Sequence, residues 1–210
     1  MHQIHTTPGF IIDSRPYGEA GKILSVFTRD FGLVQATAQG IRLEKSKLRY
    51  HSQMYSLATF SLVRGKEFWR LTSAAPFRLR QLSLTRKLLG RPASPSGRKE
   101  SLRYELIARL ALLLRRLLHG EEARPEAFDA LAGCLEFVSE HDDLDDQQLA
   151  TLESLTVARI LHWSGYIGDD KELNGHMKTF EITADLIEAL KGKRSVFNQH
   201  INKALKESQM

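Results

Sequence analysis

The sequence predicts an α+β protein, with a small five-stranded β-barrel first and an all-α helical domain after it. Three observations carry this. Five short runs of strand character, separated by Gly, Pro or basic turns, fall before residue 75. From about residue 79 onward the apolar residues recur at helical spacing instead. Charge divides near the same place: residues 1–99 carry 17 Lys and Arg against 5 Asp and Glu, a net of +12, whereas residues 100–210 carry 13 against 20, a net of −7. The domains are therefore set at 1–78 and 79–210.

The strands can be justified in order. Residues 9–15 (GFIIDSR) form a first strand ending at Pro16, which has no N–H to give a ladder. Residues 23–28 and 33–38 form a hairpin around Arg29, Asp30, Phe31 and Gly32, with Gly32 where the turn needs a positive φ. Residues 40–50, rich in Lys and Arg and without apolar periodicity, read as a mobile loop. Residues 54–63 (MYSLATFSLV) are apolar on both faces, as suits a central, covered strand. A basic turn at Arg64, Gly65 and Lys66 leads into a fifth strand over 68–74. Periodicity alone does not separate an OB-fold from an SH3-like barrel.

The helical half follows the same logic. Residues 81–89 make a short helix, then a Pro/Gly/Ser-rich basic loop spans 90–99. Ser101 is placed to cap a helix running through Leu106, Leu110, Leu113 and Leu117 to Gly120. That helix is apolar nearly all round, as the centre of a bundle would be. Pro125 opens the next, with Phe128, Leu131, Leu135 and Val138 on one face. The acidic stretch 141–146 breaks it and leads to a helix over 147–164, and two closing helices, at 183–191 and 195–207, each have a hydroxyl placed to cap them.

The stretch from Arg15 to Arg49, RPYGEAGKILSVFTRDFGLVQATAQGIRLEKSKLR, resembles the N-terminal signature of the RecO family, bacterial recombination mediators of DNA repair. The resemblance spans about the first third of the chain and favours the OB-fold for the barrel. It implies binding of single- and double-stranded DNA, annealing of complementary strands, and work at the bacterial nucleoid in the cytoplasm. It also implies two partners, single-strand-binding protein and a RecR-type protein, with which the RecA recombinase is loaded. Residues 160–166 (ILHWSGY) resemble the family's helix end before a zinc-finger-like insertion, where many members carry four cysteines. Here 167–178 runs on without a cysteine, so the insertion reads as trimmed and no metal is expected.

Composition narrows the alternatives. The longest apolar run, 104–118, is too short and too charged to span a bilayer, and the N-terminus lacks a signal peptide's pattern. The basic residues lie in strands and turns, whereas membrane binding wants them opposite bulky apolar residues on one helix. Cys134, the single cysteine, can form no internal disulfide and sits on an apolar helix face as a buried thiol would. No histidine pair has the i, i+4 zinc spacing, and the acidic stretch 141–146 lacks an EF-hand's glycine and terminal glutamate, so it reads as a solvated linker. No phosphate-cradling loop, nucleophile elbow or carboxylate cluster suggests catalysis, and no cofactor is expected.

What remains is a binding surface. Single strands are held by a cationic groove and by rings on which bases stack. The candidate cations are Arg15, Lys22, Arg29, Arg42, Lys45, Lys47, Arg49, Arg64, Lys66 and Arg70, and the candidate rings are Tyr17, Phe31 and Phe68, each of which, taken singly, reads better as a core or turn-packing residue. Without a base-reading constellation, little sequence specificity is expected. An RNA-binding OB protein of translation or RNA processing is the alternative. So is an adaptor acting through its acidic helical half.

Overall fold

The computed structural model of the chain describes residues 3–77, 97–169 and 173–208. They fall into two compact units. One holds the described residues up to Phe77 together with Ala111–Ala123, and the other holds those of Pro92–Leu110 and Arg124–Met210. The helix expected at 81–89 and the loop at 90–96 lie outside the described residues.

The first unit is the expected five-stranded, OB-fold-like barrel. Strands β1 (Ile4–Tyr17), β2 (Gly21–Thr28), β3 (Gly32–Ala38), β4 (Leu57–Val63) and β5 (Trp69–Pro76) close in the order β1-β2-β3-β5-β4. All neighbours are antiparallel except β3 and β5, which are parallel. Alternate residues of β2, β3 and β4, among them Leu24, Val26, Val34, Ala36, Phe60 and Leu62, fill the interior with Trp69 and Leu71. Each of these is at most 4% exposed.

Strand β1 is twice the expected length and passes through both Pro8 and Pro16. Pro8 has a ladder partner only in β4, and Pro16 only in β2. Pro16 therefore sits where one edge of β1 is unpaired, and Pro8 lies one residue beyond the β1–β2 ladder, where its carbonyl accepts the Arg29 N–H and no N–H is called for. A register shift between Ile11 and Asp13 bends the strand so that its two halves serve different neighbours. Strand β4 starts at Leu57 rather than residue 54; Ala58, Phe60 and Leu62 are buried on one face, while Leu57, Thr59 and Ser61 on the other are only partly covered and Val63 at its end is buried. Gly32 has φ +68°, as the turn requires, and an added Cβ would lie 2.2 Å from the Glu122 carbonyl oxygen. Both the backbone angle and the close approach exclude a side chain there.

The second unit is helical. The helices are α1 (Gly97–Leu117), α2 (Pro125–Glu140), α3 (Asp146–Trp163), α4 (Asn174–Met177), α5 (Ala184–Leu190) and α6 (Arg194–Glu207), with α1 contributing its last part to the barrel unit. The central helix is α3, against which α2, α4, α5 and α6 pack. The sequence pointed to α1 instead, but Leu112 and Tyr104 of α1 are exposed. The hydroxyls of α3 hid its burial: Thr151, Ser154 and Thr156 each donate to the carbonyl four residues back, which lets polar residues sit in a core.

Two caps also differ from expectation. Ser101 lies inside α1, where its hydroxyl donates to Glu105, because the helix already begins at Gly97. Ser195 does not cap α6, since the 3-10 turn Lys191–Lys193 runs directly into that helix. Thr183 does cap α5, and Asp145 forms a capping box with Gln148 at the start of α3. Among the described residues no helix is long and apolar enough to cross a membrane.

Candidate nucleic-acid interface

Residues directly opposite one another in paired strands share a face of the sheet. Leu24, Ala36 and Trp69 form one such row, pointing into the core. The neighbouring row, Arg15, Ile23, Thr37 and Arg70, therefore points outward across β1, β2, β3 and β5. Arg15 and Arg70 are both exposed at its ends. Three inter-strand steps separate them, which is about 14 Å. A polar pocket of roughly 350 Å³ opens on this face, lined by Asp13, Arg15, Ile23, Ser25, Gln35 and Arg115 among others. Gln35 Nε2 donates to Ser25 Oγ at 2.8 Å, and Arg115 lies 3.4 Å from Asp13. Lys22 stands opposite Ala38, a core residue, and so leaves the barrel on its inner side, half-buried.

Two turns border this face. Tyr17, 51% exposed at the end of β1, meets Phe68 of the β4–β5 turn with ring centroids 6.3 Å apart and planes at 64°. Of the three candidate rings, these two come together at the surface. Arg64 and Lys66 project from the same β4–β5 turn, exposed. Arg64 is held there: it lies 3.0 Å from Glu121 Oε2, and its guanidinium carbon is 5.4 Å from the centre of the Trp69 ring. The other Glu121 oxygen accepts the Trp69 indole N–H at 2.8 Å. Trp69 is only 3% exposed, so Glu121 supplies the acceptor that a buried indole N–H requires.

The segment 40–51 is structured, contrary to the mobile loop expected. Its backbone closes successive turns, Leu43 to Gly40, Ser46 to Leu43, Arg49 to Ser46 and His51 to Leu48, the last around a 3-10 turn at Lys47–Tyr50. Ile41 is buried in the barrel core and Leu48 packs against it, so two apolar side chains anchor the segment. The Arg42 N–H donates to the Ala20 carbonyl at 3.0 Å, tying the segment to the β1–β2 turn. Arg42, Lys45, Lys47 and Arg49 remain exposed. Turns of this kind repeat no apolar spacing, which is why the sequence showed none.

The remaining candidates are placed differently. Arg29 lies in the β2–β3 turn, 3.8 Å from Asp30, with its backbone N–H on the Pro8 carbonyl. Phe31 packs between His5 and Trp69, at 5.3 and 5.2 Å between ring centres, against the barrel core. That is a packing environment rather than an open stacking surface. Sequence reasoning missed Glu121 and Arg115, whose approach to the barrel leaves no local spacing. It also missed Tyr50, which follows the basic run directly and could have been read with it.

Elsewhere the titratable groups are structural. Burial pushes the Cys134 thiol up to about 12. Arg159 is fully buried in α3; burial lowers its pKa to about 10, and its Nε donates to the His176 carbonyl at 2.8 Å. Among the described residues no group of three or more His, Cys, Asp or Glu is placed to hold a metal ion.

Comparison with known proteins converges on the barrel. Residues 1–80 match the family described as Recombination protein O N terminal. A protein named DNA repair protein RecO from Desulfitobacterium hafniense is 33% identical over 73 residues, which cover 35% of this chain and 27% of that relative. The protein of that name from Rubrobacter xylanophilus is 35% identical over 75 residues, 36% of this chain and 30% of its own length. That from Dehalococcoides mccartyi is 38% identical over 68 residues, 32% and 27% respectively. The chain thus matches less than a third of the length of each.

Proposed function

We infer that this chain, whose residues 1–80 match the N-terminal domain of the RecO family, is a DNA-binding protein of repair and recombination that acts by binding rather than by catalysis. The observation that carries the reading is the outward row from Arg15 to Arg70, bordered by the Tyr17–Phe68 pair and the cationic segment 42–49, on a barrel of the kind that takes oligonucleotides across its second and third strands. Cations spread over one face hold a phosphate backbone whatever its sequence.

The finer steps are proposed from that chemistry and from the family resemblance. Neutralising phosphates on two strands removes the repulsion between them and promotes annealing. The proposed DNA contacts on or beside this face are Arg15, Arg42, Lys45, Lys47, Arg49, Arg64, Lys66 and Arg70, with Lys22, half-buried on the inner side, and Arg29, beside Asp30, as outlying members of the set. The barrel, residues 1–78, carries these contacts. The acidic helical half, 79–210, carries protein contacts, with single-strand-binding protein and a RecR-type partner as the expected ones, so that a RecA-type recombinase can be loaded.

The test is annealing of complementary oligonucleotides coated with single-strand-binding protein. The expected result is faster duplex formation with the chain than without it, at modest salt. Absence of acceleration, together with tight binding to structured RNA and weak binding to DNA of equal length, overturns the reading in favour of an RNA-binding barrel.

A further inference from the structure

Tyr50 is the most exposed large hydrophobic side chain among the described residues, at 72%. It ends the 3-10 turn Lys47–Tyr50, and among the described residues no ring stacks on it. Such a ring in water is unremarkable on a free tail, but this one is fixed in place. Leu48 of the same turn packs on the barrel core, Ile41 is buried in it, and the Arg42 N–H is bonded to the Ala20 carbonyl. A 3-10 helix repeats every three residues, so Lys47 and Tyr50 project on the same side, about 6 Å apart along the axis. Leu48 points inward between them. The turn therefore offers a cation and an unoccupied aromatic face side by side, held by the barrel.

We propose that Tyr50 is a base-stacking platform for unpaired strands, with Lys47 and Arg49 taking the adjoining phosphates. This deepens, and rests on, the DNA-binding reading above: it makes segment 42–50 a site that prefers single strands to duplex. The physical reason is that phosphates are available on either form, whereas the face of a base is free only when the base is unstacked. Charge favours this occupant, since Arg42, Lys45, Lys47 and Arg49 surround one acid, Glu44.

Fluorescence anisotropy on the full chain tests it with three probes of equal length: an ordinary single strand, an abasic sugar-phosphate strand and a duplex. Tyr50→Ala should weaken binding to the ordinary single strand about tenfold, within the range that one lost base stack allows. It should leave the abasic strand and the duplex unchanged. Tyr50→Trp should restore the single-strand affinity. Lys47→Ala with Arg49→Ala should weaken all three. If Tyr50→Ala changes none of the three, or all three equally, the assignment is overturned. If Tyr50→Ala instead abolishes binding to vesicles containing phosphatidylserine while strand affinity stays intact, the ring is a membrane contact and the assignment is again overturned. A wild-type chain that binds none of the three nucleic-acid probes overturns the broader DNA reading as well, which separates the two failures.

Discussion

Replacing Glu121 tests how the barrel unit holds its last segment. Glu121 accepts the N–H of Trp69, which is 3% exposed, and also pairs with Arg64, whose side chain is 68% exposed. These two contacts differ in worth. Leaving a buried donor unpaired costs about 1–3 kcal/mol. An exposed ion pair contributes about 0–1 kcal/mol. Glu121→Ala removes both and should destabilise the barrel by about 1–4 kcal/mol. Glu121→Gln keeps an acceptor for the indole and should cost about 1 kcal/mol or less. In a Trp69→Phe background the donor is gone, so Glu121→Ala should cost only the exposed pair, giving a coupling of about 1–3 kcal/mol. Native-state hydrogen exchange of the β3 amides reads barrel stability separately from that of the helices. Equal costs for Ala and Gln, or an undiminished cost for Glu121→Ala when Trp69 is Phe, refutes the assignment. Glu121→Gln should also tighten DNA binding several-fold at low salt, because Arg64 is released from a competing carboxylate.

Three further outcomes are expected. Alanine at Lys45, Lys47 and Arg49 should flatten the slope of log affinity against log salt by about 2 if all three meet phosphates of a single strand, with affinity falling alike for unrelated sequences. An unchanged slope in the folded triple variant moves the surface toward Arg64, Lys66 and Arg70. Cys134, its thiol pushed up to about 12 by burial, should stay unlabelled by Ellman's reagent in the native chain at pH 8 and react fully once unfolded. His176 is held below its ordinary value of 6.5, first by burial and then by Lys193 and Arg159. The unfolded chain therefore takes the proton more readily, and stability should fall as pH drops below about 6.5, having been fully present above it. Thermal melts across pH 5–8 should show this, and His176→Gln should flatten it.

The strands were legible wherever a physical constraint is local. The hairpin around Gly32 announced itself because a positive φ selects glycine at that position, and alternation in 33–38 follows from one face being buried. Pro16 misled because a proline reads as a strand end unless the pairing on each edge is known, and pairing is a tertiary fact. Residues 40–51 fold through single turns, each needing only a backbone carbonyl and a backbone N–H, so no side-chain period records them. The bulk of α3 was readable from Leu149, Leu152 and Ile160, but Arg159 was not read as core. A buried guanidinium at that position looks in sequence like any helical surface arginine. The cations of the interface were visible as a set, yet only the strand register shows that Arg15 and Arg70 share a row, and nothing in the sequence links Glu121 to Trp69.

The Glu121–Trp69 bond spans 52 residues, and that separation orders events during synthesis. At about 5–20 residues per second, Glu121 is added roughly 3–10 s after Trp69. From the completion of β5 at Pro76 until then, the nascent barrel has all five strands but neither the acceptor for its buried indole nor the backbone that fills the space over Gly32. Ribosome-bound chains arrested after residue 118 should therefore be cut by protease in the barrel more readily than chains arrested after residue 160. A cell making this protein holds, for several seconds per copy, a barrel whose Arg64 lacks the Glu121 carboxylate that later pairs with it.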